Sequence, residues 1–120
     1  INAEYGRVYI GYQNVSWLPR PHVMVKMVDS RDNNTTVFHY SNGGARADDG
    51  DCKCDRGWFH VGDSNVGMCR TYDIVGGEFT KLFDGPTGYH LTNHNCYDFC
   101  RRILGIHGLD TNLVAYHVDH

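Results

Sequence analysis

The chain lacks several features that would point directly to a function. Its 11 Lys and Arg stand against 14 Asp and Glu, a formal net charge of −3, so there is no basic field for a nucleic-acid backbone. No apolar run approaches the ~20 residues needed to cross a bilayer, and mean hydropathy is −0.48, so no membrane anchor is expected. There are no internal repeats and no low-complexity tracts. Cys52-Lys53-Cys54 has one intervening residue rather than the usual zinc-site gap, and no matching second pair follows. His117-Val118-Asp119-His120 has metal-binding side chains but lies at the end of the sequence. No metal site and no cofactor are assigned. A length of 120 residues suits one domain, 1–120, with a single core, expected to be monomeric.

The sequence is instead rich in cysteine, glycine and histidine, with 5, 14 and 8 of them. Five cysteines with little aliphatic bulk suggest a disulfide-supported secreted protein. The sequence opens at Ile1 rather than Met, as a chain trimmed of a leader would. Asn14-Val15-Ser16, Asn33-Asn34-Thr35 and Asn34-Thr35-Thr36 fit the N-glycosylation pattern. An odd cysteine count leaves one thiol over if four pair. Cys52 and Cys54 are too close to pair with each other, and Cys96 and Cys100, one helical turn apart, have poor disulfide geometry. Joining Cys52 and Cys54 separately to Cys69 and Cys100 leaves Cys96 free. The pairing favoured is Cys54 with Cys69 and Cys52 with Cys100.

Cys96 stands at the start of the clearest helical signal. Asn95 is placed to cap it, and Asp98 falls at the third helical position, where a carboxylate suits the positive pole. Arg101 and Arg102 lie near the negative end, with Gly105 as the expected stop. Cys96, Phe99, Cys100, Ile103 and His107 recur at helical spacing and form one face. A thiol is a poor nucleophile until it ionises, and a helix N-terminus lowers its pKa. The competing reading of Cys96 is half of a disulfide.

Upstream, Arg7 to Tyr12, His22 to Val28 and Thr35 to Tyr40 have the β-branched and aromatic content of strands. The second and third are joined by a polar turn and must run antiparallel. Ser41 to Arg56 reads as an irregular loop held by disulfides. Trp58 to Val61 and Met68 to Val75 read as short strands, Gly77 to Phe83 as a short helix, and Leu113 to Val118 as a last strand. The fold class expected is α+β, an antiparallel sheet packed against one principal helix that carries the cysteine at its N-terminus.

A cysteine nucleophile needs a base within reach and a third group to orient that base. His22 begins the second strand and His39 lies on the third, so the two can meet across the hairpin. Taken singly, each reads more readily as an ordinary sheet histidine. The stretch Tyr89-His90-Leu91-Thr92-Asn93-His94-Asn95-Cys96-Tyr97-Asp98-Phe99 resembles the Asn-Cys motif of the lecithin:retinol acyltransferase-like proteins, which belong with the circularly permuted NlpC-type papain-like hydrolases. Pro21-His22-Val23-Met24-Val25 resembles their histidine box, and Val37-Phe38-His39-Tyr40 the strand with their third polar residue. The resemblance runs from about Gly6 to Leu104. The segment with Cys52, Cys54 and Cys69 departs from it, and the acyltransferases' C-terminal anchor is absent.

The resemblance implies Cys96 as nucleophile, His22 as general base and His39 as the orienting group, both rings facing the helix N-terminus, with the Cys96 backbone N–H as one oxyanion donor. It implies a thiolate–imidazolium pair and an acyl-enzyme. Tyr5, Tyr9 and Gln13 are candidates for the second oxyanion donor. The function expected is a secreted cysteine hydrolase acting on amide bonds of a peptide or peptidoglycan-type substrate. The alternatives are a lipid acyltransferase or phospholipase on the same fold, and a non-enzymatic disulfide-rich toxin or binding module.

Overall fold

The strands form where β-branched and aromatic residues alternate with polar ones, and their pairing creates a fork that positions the site. The computed structural model describes residues 6–16, 19–42, 44–49, 54–64, 88–90 and 95–119. In chain order the elements are β1 (Gly6–Gln13), β2 (His22–Asp29), β3 (Thr35–Ser41), β4 (Gly44–Asp49), β5 (Trp58–Ser64), α1 (Cys96–Ile106) and α2 (Leu113–Asp119). The protein is α+β: five antiparallel strands in the order β4-β3-β2-β1-β5, with α1 packed on them.

One face of the sheet carries the core. Val8, Ile10 and Tyr12 of β1, Val23, Val25 and Met27 of β2, and Phe38 and Tyr40 of β3 pack with Phe99, Cys100, Ile103 and Leu104 of α1. Strand alternation sends the intervening residues to the far face: Tyr9, His22, Lys26 and His39 among them. There Lys26 Nζ lies over the rings of Tyr9 and Trp58, at 4.6 and 4.9 Å. Gly11 is required on this face, because a Cβ would stand 2.3 Å from Cys54 Sγ and 2.5 Å from the Trp58 ring.

Three expectations are corrected. Gly44–Asp49, in the stretch read as a loop, is the edge strand β4. Ala45 and Ala47 pack against the core beside Tyr40 and Phe38, and small residues with that alternation suffice to extend an open edge. Leu113–Asp119, read as a strand, is the helix α2. Its Val114 and Val118 reach the core one turn apart, and Tyr12 Oη donates to the Val114 carbonyl at 2.5 Å, so tertiary contacts override the β preference of valine. Finally, α1 runs through Gly105 to Ile106, with His107 as C-cap, and Gly108, at φ +70°, supplies the left-handed residue that ends it. The readings of Met68 to Val75 and Gly77 to Phe83 lie outside the described residues.

Candidate active site

The β2–β3 ladder runs from Val28–Thr35 to Val25–Phe38 and stops there, while β2 stays paired with β1 as far as His22–Gln13. Beyond Val25 the two strands fork. The Tyr12 carbonyl, opposite Val23, accepts from Asp55 N on the other edge of β1 at 2.9 Å, so Val23 turns its own amide toward the fork. The N-terminus of α1 fills that place. Cys100 Sγ donates to the Val23 carbonyl at 3.7 Å, so a side chain of α1 takes the place of a strand partner there.

The helix start is built as its local sequence dictates. Asn95 Oδ1 accepts from Tyr97 N at 3.0 Å, and Asp98 Oδ2 accepts from Asn95 N at 3.1 Å, a complete capping box. Cys96 is therefore the first helical residue. Tyr97 Oη donates to the Pro21 carbonyl at 2.6 Å, and Arg20 lies over the Tyr97 ring at 4.1 Å. The residues on both sides of His22 are thus bonded to the first turns of α1.

The Cys96 side is buried, with 3 % exposure. Burial pushes its thiol pKa up. The Val23 N–H, the Tyr89 hydroxyl and the N–H groups of Cys96 and Tyr97 act in the opposite direction. His22 is pushed down to about 4, first by burial and then by the charges of His39 and Arg46. Both shifts favour a neutral thiol and a neutral imidazole. At rest both shifts work against the expected thiolate–imidazolium pair.

His22 and His39 do meet across the hairpin. Their rings are edge to face, 5.7 Å between centroids. Both stem from the far face of the sheet rather than the face that α1 covers, against the expectation that their rings face the helix N-terminus. His39 Nε2 lies 2.5 Å from Asp48 Oδ2, and Arg46 is the direct β4 partner of His39. Asp48 was not singled out in the sequence. The signal was Arg46-x-Asp48 after a tight turn from His39, which places both charges on the His39 face once β4 pairs.

Of the expected oxyanion donors, Tyr9 packs against His60 at 5.1 Å on the far face. Gln13 is exposed opposite His22, and Tyr5 lies outside the described residues.

The disulfide scheme is overturned. Cys54, Cys96 and Cys100 all carry free thiols, so neither Cys54–Cys69 nor Cys52–Cys100 is formed. Cys100 is fully buried against β2, and Cys54 sits on the far face over Gly11. Cys52 and Cys69 themselves lie outside the described residues. A free thiol therefore does not distinguish Cys96; its place at the helix N-terminus does. No family model, no curated protein and no solved structure matches the chain.

Proposed function

We propose that the protein is a cysteine hydrolase with a permuted papain-like arrangement, in which Cys96 attacks an acyl carbon and His22 moves the proton. The observation that carries this reading is the clamp around His22. Pro21 is bonded to Tyr97 and Val23 to Cys100, which holds a base-bearing strand against the helix that bears the thiol at its positive pole. His22 takes the thiol proton as the carbon–sulfur bond forms and returns it to the leaving group. His39, bonded to Asp48 and in contact with His22, orients the base. The Cys96 N–H supports the oxyanion, and water releases the acyl-enzyme.

An amide in a peptide or a cell-wall peptide is the favoured substrate, because a chain with a mean hydropathy of −0.48 has little to offer a lipid surface, and an extracellular setting suits that substrate. The test is amine release from peptide and peptidoglycan-fragment panels beside an ester-lipid panel, with intact-mass detection of an acyl adduct on Cys96. An adduct from the amide panel is the expected result. A fatty-acyl adduct from the lipid panel alone would transfer the site to lipid acyl chemistry. No adduct from either panel would remove the hydrolase reading.

A further inference from the structure

We propose that two copies of the chain pair through the outer edge of β4, antiparallel and centred on Ala47, so that Arg46 of each faces Asp48 of the other. This pairing goes beyond the hydrolase reading and needs only the sheet. β4 is a border strand in the order β4-β3-β2-β1-β5. Its register with β3 runs unbroken from Ser41–Gly44 to Thr36–Asp49. Two residues join Ser41 to Gly44, a connection that closes on a hydrogen-bonded pair. Alternation along the ladder then turns the N–H and C=O groups of Ala45, Ala47 and Asp49 away from β3. Among the described residues nothing is bonded to that outward row. Such a row is a template for another strand, and native edges are commonly blunted by lysine, proline or a bulge. β4, Gly-Ala-Arg-Ala-Asp-Asp, has none of the three. The opposite border, β5, is broken by a register shift against Val8 and Tyr9.

Charge selects the occupant and its register. Arg46 and Asp48 share the far face of the sheet, opposite His39 and Val37 of β3. Arg46 is exposed and enters no ion pair among the described residues. Outward groups meet outward groups only if the twofold axis passes through a residue rather than between two. Centred on Arg46, the pairing would set arginine against arginine; centred on Asp48, aspartate against aspartate. Centred on Ala47, it sets Arg46 against the partner's Asp48 twice over, and opposite charges facing across strands stabilise where like charges destabilise. Both ion pairs then fall in the closely spaced, non-hydrogen-bonded positions. The partner's Arg46 so comes beside the carboxylate that accepts from His39 at 2.5 Å, and the second copy adds a cation to the histidine cluster. α1 lies over β2 and β3, set back from this edge. A ladder from Ala45 to Asp49 buries far less than the ~1,200 Å² of a standard interface, so the dimer is weak and depends on concentration.

The experiment exchanges charges in the full chain and reads sedimentation velocity over a concentration series. Arg46→Asp leaves acid at both positions and Asp48→Arg leaves base at both, so in either variant alone the facing pairs are of like charge. Mixed in equal amounts, the two variants face each other with opposite charges throughout. The expected result is a reversible monomer–dimer equilibrium in the wild type, a dissociation constant raised about 10–100-fold in each variant alone, and recovery in the mixture. Far-UV circular dichroism checks that both variants stay folded. A second measurement needs no variant: amide exchange in the wild type should slow at Ala45 and Ala47 as concentration rises, but not at Arg46 and Asp48, whose N–H groups β3 already holds. A wild type that stays monomeric at millimolar concentration would overturn the proposal. A dimer unmoved in either variant would place the contact elsewhere, and so would a dimer that leaves the Ala45 and Ala47 amides unprotected. Failure of the mixture to recover would show that the two charges do not face one another. None of these outcomes reads hydrolysis, so the pairing and the hydrolase reading stand or fall separately.

Discussion

Helix α1 has a histidine and a potential nucleophile near each of its ends. At the C-terminal end Ser64 Oγ and His107 Nδ1 lie 2.7 Å apart, with exposures of 4 % and 6 %. That is a hydrogen-bonded pair, yet it is the poorer site. The carbonyl pole of the helix opposes an alkoxide there, and the His107 N–H is already given to Ile103 and Leu104 carbonyls as the helix cap. At the N-terminal end Cys96 is the first residue of α1, at the positive pole of the helix. The difference shows that a hydroxyl–imidazole contact is not in itself a catalytic pair. What separates the two ends is the sign of the helix pole that a developing negative charge would face.

The sharpest way to break that comparison is to disable each end in turn. Cys96→Ala is expected to lower turnover by at least ~10⁴-fold, since nucleophile and base act as a unit, and Cys96→Ser to behave alike. Far-UV circular dichroism should be unchanged for both, because no cross-link is lost. Ser64→Ala is expected to leave turnover intact and to lower unfolding free energy by about 1 kcal/mol, the net value of one hydrogen bond. Loss of turnover in Ser64→Ala with retention in Cys96→Ala would exchange the roles of the two ends.

The second prediction concerns the base. His22→Ala is expected to approach the Cys96 variants in kcat. The wild-type profile should rise as His22 loses its proton near pH 4 and should not fall near neutrality, since the thiol is pushed upward and the resting pair is neutral. A bell centred between pH 6 and 8 would mean that an ion pair forms after all. His22 rises from the far face of the sheet, so this profile also tests whether the fork brings base and sulfur together.

Much of the N-terminal end was legible because its signals are local. Asn95, Asp98 and the spacing of Phe99, Cys100 and Ile103 specify α1 within a dozen residues, and His22 and His39 are paired by a short turn. What escaped depends on distant partners. β4 has glycine- and aspartate-rich composition and is a strand because the β3 edge is open to it. α2 is too short to hold itself and depends on Tyr12. Asp48 approaches His39 through a register that only the folded sheet sets, and Tyr89 is placed by its packing on Tyr40. The cysteine count misled because pairing was assumed from number alone, whereas Cys100 points into the core.

A third prediction follows from the burial of His22. Its folded pKa, about 4, lies below the ordinary histidine value of 6.5, so between those values the unfolded chain binds more protons than the folded one. Stability should therefore rise with pH across that window and be lost as pH falls from 6.5 toward 4, by up to about 3 kcal/mol. Denaturant midpoints measured from pH 7 to pH 4 should show the slope. His22→Gln, which cannot charge, should flatten it; an unaltered slope would place the acid sensitivity elsewhere.

The smallest expected effect belongs to Asp48, and it sharpens the comparison by testing what a carboxylate behind His39 adds at the N-terminal end. The Asp48 side chain is 43 % exposed, so its attraction for His39 is screened and should contribute little to stability. Its role is geometric. By accepting the Nε2 hydrogen of His39, it fixes which nitrogen carries the proton and holds the ring against His22. Asp48→Asn keeps an acceptor oxygen of the same size but can also present a donor, so a share of molecules should hold His39 in the other tautomer. The outcome expected is a fall in kcat of a few-fold, well under 1.4 kcal/mol, with KM and the denaturant midpoint unchanged. Asp48→Ala should cost more than Asp48→Asn. Equal losses in the two would show that charge rather than orientation matters, and no loss in either would remove Asp48 from the site.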